Sequence, residues 1–193
     1  MRNFLLAGTI ASLSSLIAAS PAVPEPCTAA TAACTEWVSL GGGPLRSLIY
    51  RSHSLDTRNE SIRRALIMVH GTNRNADHYF TTATTAAFLG RALDDTVVVS
   101  PRIASAEGSC HDALDANEVS WSCTGDSWRS GGSAPKNPEL TSFDFVDAIL
   151  RKLATNRPSQ IFARLSSPDT RPADSSCRGM RWPTGCTIRS ACP

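Results

Sequence analysis

The stretch "RRALIMVHGTNRNADHYF", residues 63–80, decides the fold. Ala65 to Val69 is an apolar run without alternation, which predicts a strand covered on both faces, as in a parallel sheet. His70 and Gly71 close the run, and polar residues after Gly71 break the pattern. From Ala76 to Leu93 alanine is frequent and apolar residues recur at loosely helical spacing. That predicts a helix, although the threonine cluster within it lowers its intrinsic propensity.

Working outward, "DDTVVVSPRI" carries a second β-branched run, Val97 to Val99, which Pro101 should stop. Upstream, "LRSLIY" (Leu45 to Tyr50) follows three glycines and a proline, which predicts a short strand after a turn. Residues 104 to 138 read as a long loop rich in Gly, Ser, Trp and Cys. A loop of that length in a compact domain is usually functional or stapled. "TSFDFVDAILRKLA" (141–154) then predicts a helix. Thr141 and Asp144 form a capping-box pattern, and Phe143, Val146, Ile149, Leu150 and Leu153 fall on one face. Arg151 and Lys152 near its end suit the helix dipole.

Strand, helix, strand, long loop, helix is the opening of an α/β architecture with a parallel sheet. Another buried strand is expected next. Instead, from about Arg157, arginine, proline and cysteine recur without period, and neither Lys nor Glu occurs. The expected fold is therefore an incomplete parallel sheet with flanking helices and a disordered tail. "ALIMV" would be left as a bare apolar edge in a poorly stable product.

The chain has 193 residues, enough for one domain, and at 41% hydrophobic and 19% charged it is ordinary globular material. A net charge of +2 is too mild to imply nucleic acid as a partner. The first residues carry Arg2, an apolar run from Phe4 to Ile17 and small residues around Ser20-Pro21-Ala22, the layout of a secretory signal peptide. The run is too short and too diluted by Ser and Thr for a membrane anchor. The domain reading is a signal peptide over 1–22, a partial α/β domain over 23–156 and a tail over 157–193, in a secreted protein.

Seven cysteines fit an oxidising compartment. Cys27 and Cys34 bracket a small-residue stretch and Cys110 and Cys123 a polar loop, so both are natural local disulfide pairs. Cys177, Cys186 and Cys192 all fall in the tail and leave an odd thiol. Asn59-Glu60-Ser61 matches the glycosylation sequon, which matters only in a eukaryotic source. No metal-spaced His/Cys cluster and no phosphate-binding glycine loop appears, so no cofactor and no metal are expected.

The chemistry begins at His70-Gly71-Thr72. A glycine at a strand end lets backbone N–H groups face a nascent oxyanion, although His-Gly after a strand is also an ordinary turn. Taken with "VVVSP", the loop "WSCTGDSWRSGG" and the helix "SFDFVDAILRKLA", the stretch over residues 45 to 154 resembles the N-terminal half of secreted α/β-hydrolase-fold proteins. The resemblance implies that Gly71 and Thr72 belong to an oxyanion hole. It also implies a small ester or acyl substrate for an intact parent enzyme.

The family's nucleophile lies in G-x-S-x-G, on the strand after this helix, and no such motif occurs in the chain. Ser130-Gly131-Gly132 is a loop lacking the first glycine. Asp126, Asp144 and Asp147 are candidate acids and His53, His78 and His111 candidate bases, but they precede the nucleophile's place, against the family order. They read better as loop and helix charges and solvated histidines. No catalytic residue is assigned, and the chain is expected to be inactive.

The tail has a second reading in the genetic code. Each shifted codon can be taken as the third base of one codon plus the first two of the next. Pro168 to Asp174 then permits G-H-S-A-G-G, and Gln160 to Pro168 permits the apolar strand N-L-R-K-I-V-V-A before it. Strand and elbow fall where the fold requires them, which points to a frameshift or misplaced splice boundary near Pro158. The alternative is a small secreted, disulfide-stabilised binding protein. Its contact surface would be the loop bearing Trp121, Trp128, Cys110 and Cys123, and its basic tail would face anionic partners.

Overall fold

A computed structural model describes residues 25–124, 127–156 and 163–166 of the chain. The expected signal segment 1–22 and the tail cysteines Cys177, Cys186 and Cys192 lie outside the described residues. The strands are β1 (Thr35–Ser39), β2 (Arg46–Arg51), β3 (Arg64–Met68), β4 (Thr96–Pro101), β5 (Ser133–Ala134), β6 (Asn137–Thr141) and β7 (Ala163–Ser166). The helices are α1 (Ala76–Leu89) between β3 and β4 and α2 (Ser142–Asn156) between β6 and β7. Five strands form one mixed sheet in the order β1-β2-β4-β3-β7, and β5 and β6 form a small hairpin.

β3 pairs in parallel with β4 on one side and with β7 on the other, while β2 joins β4 antiparallel. The crossover through α1 thus moves along the sheet in one direction and the crossover through α2 in the other. Crossovers between parallel strands are right-handed, so opposite directions put the helices on opposite faces. The core divides accordingly. Val97 and Val99 pack with Trp121, Phe145, Ile149 and Leu153 on the α2 face, whereas Val98 packs with Phe80, Ala83 and Ala87 on the α1 face. The period-two alternation of strand side chains makes that split within three consecutive valines. Every residue of β4 is buried, as expected for the strand at the centre of both layers.

Three local expectations change. The strand expected to end before Pro101 includes it, with Pro101 opposite Ile49, because proline ends a ladder only by withholding its own N–H. The loop expected over 104–138 contains a 3₁₀ turn, Ser127–Ser130, and the strand β5, and β6 begins at its end. The bare edge expected on β3 is covered along its backbone, since Ala65 to Met68 pair with Ala163 to Ser166. A backbone ladder needs no particular side chains, so a polar stretch can fill a strand position that its composition does not announce.

α2 starts as its sequence requires. Thr141 N–H donates to Asp144 Oδ2 at 2.8 Å and Asp144 N–H donates to Thr141 Oγ1 at 3.2 Å. Its inner face includes Phe145, fully buried and stacked on Trp121 with ring centroids 5.9 Å apart, whereas Phe143 stays half-buried. Lys152 leaves the helix axis to reach β1, with its ammonium 2.8 Å from Glu36 and 2.9 Å from Asp56.

Candidate functional site

Parallel strands present their carboxyl ends to one rim of the sheet, and a crevice opens where neighbouring strands send their chains to opposite faces. β3 and β4 are such neighbours: β3 leads to α1 and β4 leads, through the long loop, to α2. His70, Gly71 and Thr72 leave β3 at this rim.

His70 does not face solvent. It is 1% exposed, with its ring set edge-on to Trp128 at a centroid distance of 4.9 Å. Ile103 N–H, just beyond β4, donates to His70 Nε2 at 3.1 Å. Nε2 therefore carries no proton, Nδ1 does, and Nδ1–H donates to the Gly71 carbonyl at 2.9 Å. Burial pushes the imidazole pKa down, the Gly71 bond opposes that, and the Arg74 charge adds to the lowering. A neutral ring with both nitrogens engaged is a latch across the crevice.

Arg74 completes the latch from the same loop. Its Nη1 donates to the Ile103 carbonyl at 2.9 Å and its Nη2 to the Ser122 carbonyl. Arg74 adopts φ +54°, a left-handed conformation that costs a non-glycine residue energy, and these bonds offset the cost. Arg74 N–H returns to the Gly71 carbonyl at 3.1 Å, so residues 71–74 form a turn.

Gly71 and Thr72, the two expected oxyanion donors, sit on that turn. Among the described residues, no group accepts a hydrogen bond from either backbone N–H. Thr72 is exposed and Gly71 half-buried. A Cβ on Gly71 would lie 2.9 Å from the Tyr79 hydroxyl, which the first turns of α1 bring back over the loop. The φ of Gly71 is not positive, so what its missing side chain provides is room for the Tyr79 hydroxyl. Tyr79, Arg74 and Ile103 are site residues that sequence reading missed. Tyr79 and Ile103 reach the loop from other elements, and no local pattern announces that.

The other candidates disperse. His78 and His111 are exposed, as expected, but His53 is buried, with Nδ1 3.1 Å from Ser52 Oγ. This Ser-His contact cannot reach a substrate: Ser52 is 1% exposed, and its Oγ accepts from Val98 N–H at 2.9 Å at the edge of β4. Asp144 caps α2, and Asp147 lies on that helix, its pKa pushed up by burial against the lowering effect of Arg151. Asp126 lies outside the described residues. Ser130 and Gly131 belong to the turn packed against α2, where Gly131 has φ +80° and faces the Phe143 ring. Among the described residues no three His, Cys, Asp or Glu side chains cluster as metal ligands, and no helix is long and apolar enough to cross a membrane.

Both expected local disulfides form. Cys27 joins Cys34 with Cα atoms 5.6 Å apart, and Cys110 joins Cys123 at 5.9 Å. The second staples the loop that carries Ile103, Trp121 and Ser122. Trp121 and Trp128, read from sequence as a possible contact surface, are buried instead. Trp121 donates from Nε1 to Ser47 Oγ at 3.3 Å, so the indoles are core and hold the loop onto the sheet.

No protein family matches the chain, nor does any curated protein or solved structure.

Proposed function

We propose that the described domain is the front half of a secreted serine acyl-hydrolase fold, in which Gly71 and Thr72 offer the oxyanion donors and the nucleophile is missing. One observation carries the reading. The His-Gly-Thr turn leaves a parallel strand for the first long helix, its Gly71 and Thr72 N–H groups have no acceptor among the described residues, and the strand it leaves pairs with the strand that follows α2. In α/β-hydrolases an N–H from the loop between the third strand and the first helix stabilises the oxyanion, and a serine on a tight strand-to-helix turn attacks. β7 lies parallel to β3, the position that this reading gives to the serine strand.

In an intact parent, a serine Oγ would attack an ester or related acyl carbon while a histidine takes its proton. The loop N–H groups would then stabilise the negative oxygen of the tetrahedral intermediate. This chain supplies the donors only. His70 has both ring nitrogens engaged and Ser52 is buried against the β4 backbone, so neither can act as base or nucleophile. Acyl-enzyme chemistry needs both, and the chain as written should be inactive. The shifted codons that permit G-H-S-A-G-G begin at Pro168, two positions after the end of β7, which supports a displaced reading frame as the origin of the tail.

Sequencing the transcript across the codons for Asn156 to Pro168 tests the reading. One inserted or lost base, or an unspliced junction, that restores the strand and elbow is the expected result. The restored product should then cleave short-chain p-nitrophenyl esters and take one phosphonate label. A transcript that encodes the tail as written, with no open shifted frame, would sink the proposal. So would stoichiometric labelling of the present chain.

A further inference from the structure

The sequon Asn59-Glu60-Ser61 lies in the connection between β2 and β3, and its geometry separates the amide oxygen from the nitrogen. Ser61 N–H donates to Asn59 Oδ1 at 3.0 Å and Ser61 Oγ donates to the same oxygen at 2.6 Å. The backbone N–H of Ser61 can only donate, so the atom it meets is the oxygen and the amide orientation is determined. The nitrogen Nδ2 therefore points the other way. It has less than 1 Å² of accessible surface and no hydrogen-bond partner among the described residues, although Asn59 as a residue is half-exposed. The turn is anchored on its C-terminal side. Ile62, 6% exposed in the α2-face core, donates its N–H to the Asn59 carbonyl at 3.3 Å, and Arg63 N–H donates to the Asp95 carbonyl at 2.8 Å.

Nδ2 is the atom that a glycan would take. In that transfer the Nδ2–C1 bond forms, the bond from the sugar C1 to the diphosphate of a lipid-linked oligosaccharide breaks, and the amide gives up one proton. A sugar ring on Nδ2 has no space in the folded turn. To expose the nitrogen, the side chain must rotate away from both Ser61 donors, next to the point where Ile62 enters the core.

We propose that glycosylation of Asn59 and the native β2–β3 connection exclude each other. The sequon is read in the unfolded chain, and a chain modified there cannot close this turn. The inference does not depend on the hydrolase reading, because it uses only the connection and its anchors.

The test uses the full chain, translated with endoplasmic-reticulum microsomes under oxidising conditions. A mobility shift that endoglycosidase reverses, and that Ser61→Ala abolishes, identifies modification at this site. Chains kept reduced and unfolded should be modified at least several-fold more than chains folded before exposure to the transferase. In limited proteolysis without reductant, the unmodified fraction should yield a resistant core containing the Cys110–Cys123 bridge, and the modified fraction should be cut as fast as reduced chain. Equal resistance of the two fractions overturns the proposal. So does modification of the pre-folded chain at the unfolded rate, or no modification of the unfolded chain.

Discussion

α1 and α2 cover opposite faces of one sheet with opposite materials. The buried side of α2 is large: Phe145, Ile149 and Leu153 pack with Trp121, Val97 and Val99. The buried side of α1 is small: apart from Phe80 it presents Ala76, Ala83, Thr84 and Ala87, while Phe88 and Leu89 stay exposed. Their starts differ as well. α2 has a reciprocal Thr141–Asp144 cap, whereas Asn75 before α1 makes no side-chain capping bond. α2 is held by burial and capping, and α1 by close backbone approach and by the turn at its entry.

The largest expected effect separates the two faces. Phe145→Ala should lower unfolding free energy by about 3–5 kcal/mol in denaturant titration, because it empties a site stacked against Trp121. A loss below about 1 kcal/mol would mean that the α2 face is not tightly packed. The α1 face should fail by enlargement: Ala83→Leu, at a fully buried position, should cost about 1–3 kcal/mol by overpacking. If that substitution stabilises, α1 is not closely seated.

The latch at the entry to α1 should make stability depend on pH. His70 has its pKa lowered by burial from the ordinary value of 6.5, so the unfolded chain binds the proton first as pH falls. Stability is then complete above about pH 6.5 and declines below it, by up to ~1.4 kcal/mol per pH unit for one proton. Glu118 acts in the opposite sense. Burial raises its carboxyl above the ordinary 4.5, against the lowering charge of Arg102, so its contribution is present at low pH and lost as pH rises. The His70 part is isolated by comparing wild type with His70→Gln between pH 5 and 7, and a slope unchanged by the substitution would refute the neutral latch.

The smallest effect compares the helix starts. Asp144→Ala should cost about 1 kcal/mol, and Asn75→Ala only a few tenths, since only the first removes a capping bond. Equal losses in thermal melts would remove this distinction between the helices.

The same contrast explains what could be read in advance. α2 was legible because periodicity and the Thr141–Asp144 pattern are local, although its key aromatic is Phe145 rather than Phe143. β2, β3 and β4 were legible from apolar runs bounded by turn residues. β1 was not, because Thr35–Ser39 is an edge strand with one buried residue, Val38, and its Trp37 packs under Arg46 at 4.0 Å. β7 was not, because its place comes from main-chain pairing with β3. At the site, Gly71 and Thr72 could be found as a strand-end turn, but the role of His70 could not.

Amino-acid order by itself determined the elements with a local cause: buried runs for the central strands, a capped amphipathic α2, and two disulfides between cysteines 7 and 13 positions apart. Tertiary structure alone decided which groups meet across the rim. Ile103 offers its N–H to His70 and its carbonyl to Arg74, two contacts that span about 30 positions of chain. Such contacts depend on how β3 and β4 are brought side by side, and a backbone N–H or carbonyl carries no residue type through which a sequence could advertise its partner.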